Sequence, residues 1–240
     1  MIKAMAVNKD SSYFRFNSLG LSSLAERSLK LVRQRIYNQF AAIANVTEKI
    51  KVLDVGVSAQ DHPSSNFFEQ YFPYKNNITA LGLGDFKELE KIYPGLTYVK
   101  GDGRILPFSD KSFDWVFSHA VIEHVGNSSN QEAFIAELIR VSKKGVFLTS
   151  PNRLHPLEFH TGLPLFHYFP KALHLKIYKI LGQSFYCTEE NLNLLFPSDF
   201  KDRIDAAFRL IGVSESAVVK RNFAYWLGLP SNTLYSIILT

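Results

Sequence analysis

Five stretches of this sequence hold residue types that could do chemistry. HPLEFH places His155 and His160 on either side of Glu158, so one imidazole can take a proton while the carboxylate orients the ring. The same three side chains are possible metal ligands. No helical HExxH spacing and no second carboxylate cluster accompanies them, so no metal is expected. The other stretches are DVGVSAQD at 54–61, LGLGDF at 81–86, GDGRILPF at 101–108 and SHAVIEHV at 118–125. Each sets small or acidic residues at or just after an apolar run. DVGVSAQD nearly spells a glycine-rich loop: Gly56 is present, while Ser58 and Gln60 stand where further glycines would normally follow.

The elements that must position these residues are readable from hydrophobic pattern. Ser23 to Glu26 is a capping-box signature, and Leu24, Leu31, Val32, Ile36, Phe40 and Ile43 then follow a helical period, which predicts an amphipathic helix to about Ala44. IKVLDVG is a continuous apolar run ending at Gly56, the pattern of a strand buried on both faces. SNFFEQYF reads as a helix closed by Pro73. ITALGL, LTYVKGD, FDWVFSHAV and GVFLTSP supply four further strands, and QEAFIAELIRVSKKG a helix with Lys143 and Lys144 at its end and Gly145 as C-cap. FRLIGVSESAVV and TLYSIILT read as the last two strands. Strands alternating with helices predict an α/β fold with a parallel, doubly wound sheet. Ligands of such sheets bind beyond the carboxyl ends of the strands, at the switch point, which is where the residues of DVGVSAQD, LGLGDF, GDGR and SHAV fall.

At 240 residues and 46% hydrophobic, the chain can bury one substantial core. Its formal net charge is +5, and the excess lies before residue 51, where Lys3, Lys9, Arg15, Arg27, Lys30, Arg33, Arg35 and Lys49 face only Asp10, Glu26 and Glu48. A basic leader of this kind suits a solvated helix face, an anionic substrate, a membrane surface or RNA. The single cysteine, Cys187, excludes an intramolecular disulfide and agrees with a reducing compartment. The N-terminus lacks the apolar segment of a signal peptide, and no apolar run approaches the roughly 20 residues that span a bilayer. A soluble, cytoplasmic protein is expected, with contact to the inner membrane face left open.

VLDVG, GDGRILPFSDKSFDWVFSHAVIEHVG and ELIRVSKKGVFLTSPNR closely resemble the class I S-adenosylmethionine-dependent methyltransferases of the methyltransferase type 11-like kind, over about residues 50–153. The combination of GD with LPF, SFD and EHV is the most specific part. SPNR, HPLEFHTGLPLFHYFP and EENLNLL resemble a subgroup often associated with surface-glycan and glycolipid pathways. The resemblance implies a Rossmann-like, seven-stranded, mostly parallel sheet with an antiparallel last strand. It further implies an N-terminal helical extension at 1–46, a catalytic domain at 47–240, and within it a helical, aromatic substrate lid at 153–200.

It also implies a cofactor, S-adenosylmethionine, with S-adenosylhomocysteine as product. By this likeness Asp54, Gly56 and Ser58 approach the methionine and ribose portion of the cofactor. Asp85, directly after Gly84 where the family commonly has an acid, is the ribose candidate. Asp102 matches the acid that accepts from the adenine amino group, with Gly103 and Arg104 following in the turn, and Ser118 and His119 line the reactive end. Methyl transfer to a hydroxyl needs alignment and a base; His160 is the leading base candidate, oriented by Glu158, with His155, His119 and Glu123 as competitors. The expected acceptor is a hydroxyl of a small molecule, sugar or lipid-linked compound. KALHLKIYKILG is a basic amphipathic segment suited to a membrane surface. RNA methylation through the basic leader and a non-catalytic cofactor-binding scaffold stand as alternatives; nucleic acid is the less expected partner, since SHAV replaces the aromatic-proline signature of amide-nitrogen methylases.

Overall fold

The computed structural model of the protein describes residues 22–59, 65–212 and 217–240. The capping pair read from Ser23, and Gln60, Asp61 and His62 of the first loop, lie outside the described side chains. Among the described residues the order is α1 (Ser22–Ala44), β1 (Val52–Val55), α2 (Phe67–Tyr71), β2 (Ile78–Gly82), α3 (Leu89–Ile92), β3 (Thr97–Lys100), β4 (Phe113–His119), α4 (Ser128–Val141), β5 (Ser142–Pro151), α5 (Lys171–Ile180), α6 (Pro197–Ile211), β6 (Ala217–Trp226) and β7 (Leu229–Leu239). One sheet runs β3-β2-β1-β4-β5-β7-β6. β1 to β5 pair in parallel and β7 is antiparallel to both β5 and β6. The doubly wound sheet implied by the alternation is therefore present, and β1 and β4 are its central pair, with Leu53 beside Val116.

Each face of the sheet is covered by helices whose apolar residues recur at helical spacing. On one side Val32, Ile36, Phe40 and Ala44 of α1 are buried with Phe67, Phe68, Trp115, Phe117 and Phe147. The Phe68 and Phe117 rings stack at 4.4 Å, and Phe40 meets Phe117 edge-on at 5.4 Å. On the other side Phe134, Ile135, Leu138 and Ile139 of α4 and Phe200, Ile204 and Phe208 of α6 pack on Leu53, Val55, Val116, Val146 and Leu148. Full burial of one such side chain contributes about 1.5–3 kcal/mol, so these two layers fix the sheet. A third, smaller cluster of Tyr178, Tyr186, Leu192 and Leu194 belongs to the segment between β5 and α6. No helix among the described residues is long and apolar enough to cross a membrane.

Two sequence expectations are corrected. KKG does not end a helix: α4 stops at Val141 and β5 begins at Ser142 without a loop, so Lys143, Lys144 and Gly145 are strand residues. Gly145 is required there because a Cβ would lie 2.3 Å from the Ile237 carbonyl oxygen and 2.7 Å from the Trp115 ring. FRLI is the last turn of α6, whose buried residues Phe200, Ile204, Ala207 and Phe208 form one helical stripe ended by Gly212 at φ 67°; β6 starts only at Ala217.

The motif between β3 and β4 is held by α4. Glu137 accepts from the Leu106 amide at 2.7 Å, while Arg140 donates to the Leu106 and Phe108 carbonyls at 3.1 and 2.8 Å and to Asp110 at 2.7 Å. Asp114 accepts from the Lys51 amide at 2.9 Å and so ties the start of β4 to the start of β1.

Beneath the first loop, Asp54 of β1 and Glu69 of α2 are both buried and hydrogen-bonded to each other. Two carboxylates can share a hydrogen bond only when one of them carries a proton. Burial pushes Asp54 up to about 7, and burial together with Asp54 pushes Glu69 well above the usual carboxylate range. The unfolded chain releases these protons near roughly pH 4. Stability from the pair is therefore complete below that pH and is lost as pH rises towards and through 7. Glu69→Gln supplies a permanent donor to Asp54, so its melting temperature should fall less than that of the wild type between pH 5 and pH 8. Parallel falls in the two proteins would exclude a shared proton.

Candidate functional site

The carboxyl ends of β1, β2, β3 and β4 bring four sequence motifs to one edge. At the end of β1, Gly56 has φ 113° and a Cβ there would sit 2.1 Å from Val121 Cγ2, so both backbone and space demand glycine. The Gly56 and Val57 amides donate to the Leu81 carbonyl at 2.8 and 3.2 Å. Ser58 is exposed, but its amide donates to Asn66 Oδ1 at 3.1 Å and its carbonyl accepts from Asn66 Nδ2 at 2.9 Å. Asn66, in the left-handed region at φ 52°, thus closes the loop from the other side.

At the end of β2, Gly84 stands where a ribose-binding acid would be expected. A Cβ at this position would lie 2.3 Å from the Phe86 ring, and the Gly84 carbonyl accepts from the Tyr98 hydroxyl. The ring fills the space that a side chain at 84 would need; Asp85 is the exposed acid of this turn. At the end of β3, Asp102 is partly exposed and clasped by Arg104. Oδ1 accepts from the Arg104 amide at 2.9 Å, and Oδ2 from its guanidinium at 2.6 Å. The Arg104 bonds hold the Asp102 carboxyl below its usual range, so it is an ionised acceptor with lone pairs facing solvent. Gly103 is buried, and a Cβ there would lie 2.5 Å from the Phe134 ring of α4.

At the end of β4, Ser118 is fully buried and donates to the Val55 carbonyl at 2.9 Å, fastening β4 to β1. His119 Nδ1 bonds Thr149 Oγ1 at 2.7 Å and the ring stands edge-on to Phe67 at 4.8 Å. Burial, reinforced by Arg33, pushes His119 down to about 3, so it is neutral.

Beyond this edge lies a second polar centre, built from both the sheet and the segment after β5. Glu123 and His124 occupy the short 3₁₀ turn that follows β4. Asn193 donates its amide to the Glu123 carbonyl at 2.7 Å and its side chain to the Gly126 carbonyl at 2.9 Å, which draws the segment down onto the turn. Glu158 Oε1 accepts from the His160 amide at 2.9 Å and from His160 Nδ1 at 2.7 Å; Oε2 accepts from the Thr161 amide and hydroxyl, both at 2.7 Å. Burial acts to raise Glu158, yet His160 and these donors outweigh it and hold the carboxyl at about 2. His160 Nε2 lies 3.1 Å from His124 Nε2 and 3.7 Å from Glu123 Oε1, and His124 Nδ1 lies 2.6 Å from the Asn191 carbonyl. Burial raises Glu123 to about 7 and lowers His124 to about 3.

Of the three residues read as catalytic candidates, Glu158 and His160 are together. His155 is elsewhere: its Nδ1 accepts from the Leu157 amide at 3.2 Å and its ring lies against Phe159 and Trp226. The places beside His160 are taken by His124 and Glu123, which stand 36 residues or more earlier in the chain. The EHV motif flagged them, but only the descent of the insertion onto β4 makes them neighbours.

Small residues at the β1 turn and acids at the ends of two adjacent strands fit a cofactor with an adenosine and an amino-acid end. Residues 75–149 match the family described as "Methyltransferase domain". The fold is shared with a methyltransferase from Thermotoga maritima, described as a possible histamine N-methyltransferase, at 17% identity and a TM-score of 0.51 over 92% of this chain and 97% of that one. It is shared also with the magnesium protoporphyrin IX methyltransferase of Synechocystis, which holds S-adenosylhomocysteine, at 10% identity and a TM-score of 0.55 over 90% and 87%. A putative methyltransferase from Bacillus halodurans gives 15% identity and 0.53 over 84% and 97%.

If Asp102 accepts from the cofactor's adenine, Asp102→Ala removes a charged acceptor, and S-adenosylmethionine affinity measured by calorimetry should drop about 10–100-fold. Equal affinity in the two proteins would remove Asp102 from the site. The chain thus carries a stretch that matches a methyltransferase domain, set in the fold that S-adenosylmethionine-dependent methyltransferases share.

Proposed function

We propose that the methyl group is transferred to a hydroxyl of a small-molecule, sugar or lipid-linked acceptor held between the end of β4 and the segment at 153–196. The observation that carries this reading is the centre formed by buried Glu123, Glu158 and His160 with half-buried His124. It is built on the turn that follows β4, the strand next to β1 in the sheet, and a hydroxyl needs such a centre to lose its proton as the methyl arrives. An in-line attack on the sulfonium carbon asks the protein mainly for alignment and exclusion of water. The aromatic residues of the 153–200 segment suit a sugar ring or lipid chain. Within the centre, His160 meets the acceptor side and Glu158 acts through it as a positioning residue.

Incubation with methyl-labelled cofactor and fractionated cell extract should label a sugar or glycolipid fraction. Label confined to RNA would overturn the acceptor class. With that acceptor, Glu158→Gln should lower kcat about 100-fold or more while leaving cofactor affinity unchanged; an equal loss of cofactor affinity would mean only structural damage.

Contact with the inner face of a membrane is part of the same proposal. α5 buries His174 and Tyr178 and leaves Leu173, Ile180 and Leu181 exposed, with Lys176 and Lys179 exposed beside them. This is the composition of a helix that rests on an anionic surface. The protein should float with vesicles containing anionic lipid and not with neutral ones, and Ile180→Glu together with Leu181→Glu should abolish flotation; flotation unaffected by these changes would exclude α5 as the contact.

A further inference from the structure

We propose that Glu123, His124 and His160 bind a divalent transition-metal ion of the zinc type. The inference concerns the same centre as the proposed function, whatever the acceptor: with an ion bound, His160 Nε2 is a ligand and not the acceptor's base.

Hydrogen-bond chemistry at this centre leaves a gap that one cation fills. Glu158 accepts four bonds, so it is a carboxylate, and His160 Nδ1 must carry the hydrogen of the 2.7 Å bond to it. The Asn191 carbonyl has no hydrogen to give, so His124 Nδ1 must carry the hydrogen of its 2.6 Å bond. With both Nδ1 atoms protonated, neutral rings present a lone pair at each Nε2, and these two atoms are only 3.1 Å apart. A neutral pair in this arrangement is repulsive. The third atom, Glu123 Oε1, is buried, has no hydrogen-bond partner among the described residues, and lies 3.7 Å from His160 Nε2.

Either an extra proton or a metal ion can relieve the contact. A proton between the two Nε2 atoms leaves Glu123 Oε1 unsatisfied, because 3.7 Å is beyond hydrogen-bond reach. A metal ion satisfies all three. Ligand bonds of about 2.0–2.1 Å at tetrahedral angles set ligand atoms about 3.3 Å apart, and the two measured separations lie on either side of that value. The three ligand atoms lie within 4.8 Å of one another. The ring planes are at 84° with centroids 4.7 Å apart; a head-on N–H···N bond of this length would hold the centroids about 5.4 Å apart. The rings are thus bent off a direct approach, as two ligands of one ion are.

The outer contacts are those that metal-binding histidines use. One imidazole gives its second N–H to a carboxylate and the other to a backbone carbonyl, fixing tautomer and orientation. With Glu123 ionised, the two carboxylates and two neutral imidazoles carry a buried negative charge that a divalent ion balances. Three protein ligands leave the fourth tetrahedral position for water or an acceptor oxygen.

The protein, purified without chelators, would be assayed for metal by mass spectrometry, then stripped and titrated with zinc by calorimetry and with cobalt(II) by visible absorption. One equivalent per chain and a tetrahedral cobalt spectrum are expected. His124→Ala and Glu123→Gln should each weaken zinc binding 100-fold or more. Glu158→Gln, which keeps all three ligands, should weaken it about 10–100-fold. Should His124→Ala fail to fold, Glu158→Gln and Glu123→Gln carry the comparison. His155→Ala, outside the ligand group, should bind like the wild type. No stoichiometric binding, affinities equal across wild type and ligand variants, or nitrogen NMR showing a shared imidazolium proton that saturating zinc leaves in place would overturn the proposal.

Discussion

A parallel sheet covered on both faces has one place to keep polar chemistry, the ends of its strands. In this protein the rule is followed closely. β1 and the middle of β4 are sealed by phenylalanines of α1 and α2 on one face and by α4 and α6 on the other. Polar side chains appear where β1 and β4, the central pair, finish. Ser118 binding the Val55 carbonyl at 2.9 Å holds these two ends together; the first loop extends from β1 and the Glu123–His124 turn from β4, with the acid turns at the ends of β2 and β3 alongside. Buried polar groups without partners cost about 1–3 kcal/mol each, and this edge is arranged accordingly. Asn66 closes the first loop, Arg104 clasps Asp102, and Asn193 pulls the insertion onto the turn after β4.

The insertion after β5 therefore completes the edge as well as covering it. Its own small core of Tyr178, Tyr186, Leu192 and Leu194 gives it shape. Its attachment to the turn after β4 is polar, through His160, Asn191 and Asn193, while Leu195 enters the core under the sheet and Phe159 meets Trp226 of β6.

Much of this was legible before any coordinates. IKVL, ITALGL and FDWVF read as buried strands because continuous apolar runs have few other uses in an α/β chain, and the stripe from Val32 to Phe40 read as a covering helix. The failures have physical causes. Lys143 and Lys144 look like a helix end because nothing local announces that α4 passes straight into β5. FRLI looks like a strand when its partners on the same stripe, Phe200 and Ile204, are left out of the window. The centre at His160 was half legible: the spacing in HPLEFH gives the Glu158–His160 pair, whereas His124, Glu123 and the Asn191 carbonyl join only through tertiary contact. Asp54 and Glu69 likewise meet across a loop that no periodicity connects. At the end of β2, the Phe86 ring takes the space that a side chain at 84 would need, so Gly84 there is a matter of packing that the sequence displays without explaining.

The central claim is that the cofactor lies along the carboxyl ends of β1 to β4 in spite of the altered glycine pattern and the displaced acid. A crystal structure of the protein with S-adenosylhomocysteine tests it most directly. The account predicts density for the ligand over Gly56 and Ser58, with the ribose beside Asp85 and the adenine at Asp102, and the sulfur directed past Ser118 and His119 towards Glu123 and His160. Ordered ligand bound elsewhere on the chain, or an edge that stays closed by Asn66, Phe86 and Arg104 at saturating ligand, would contradict it.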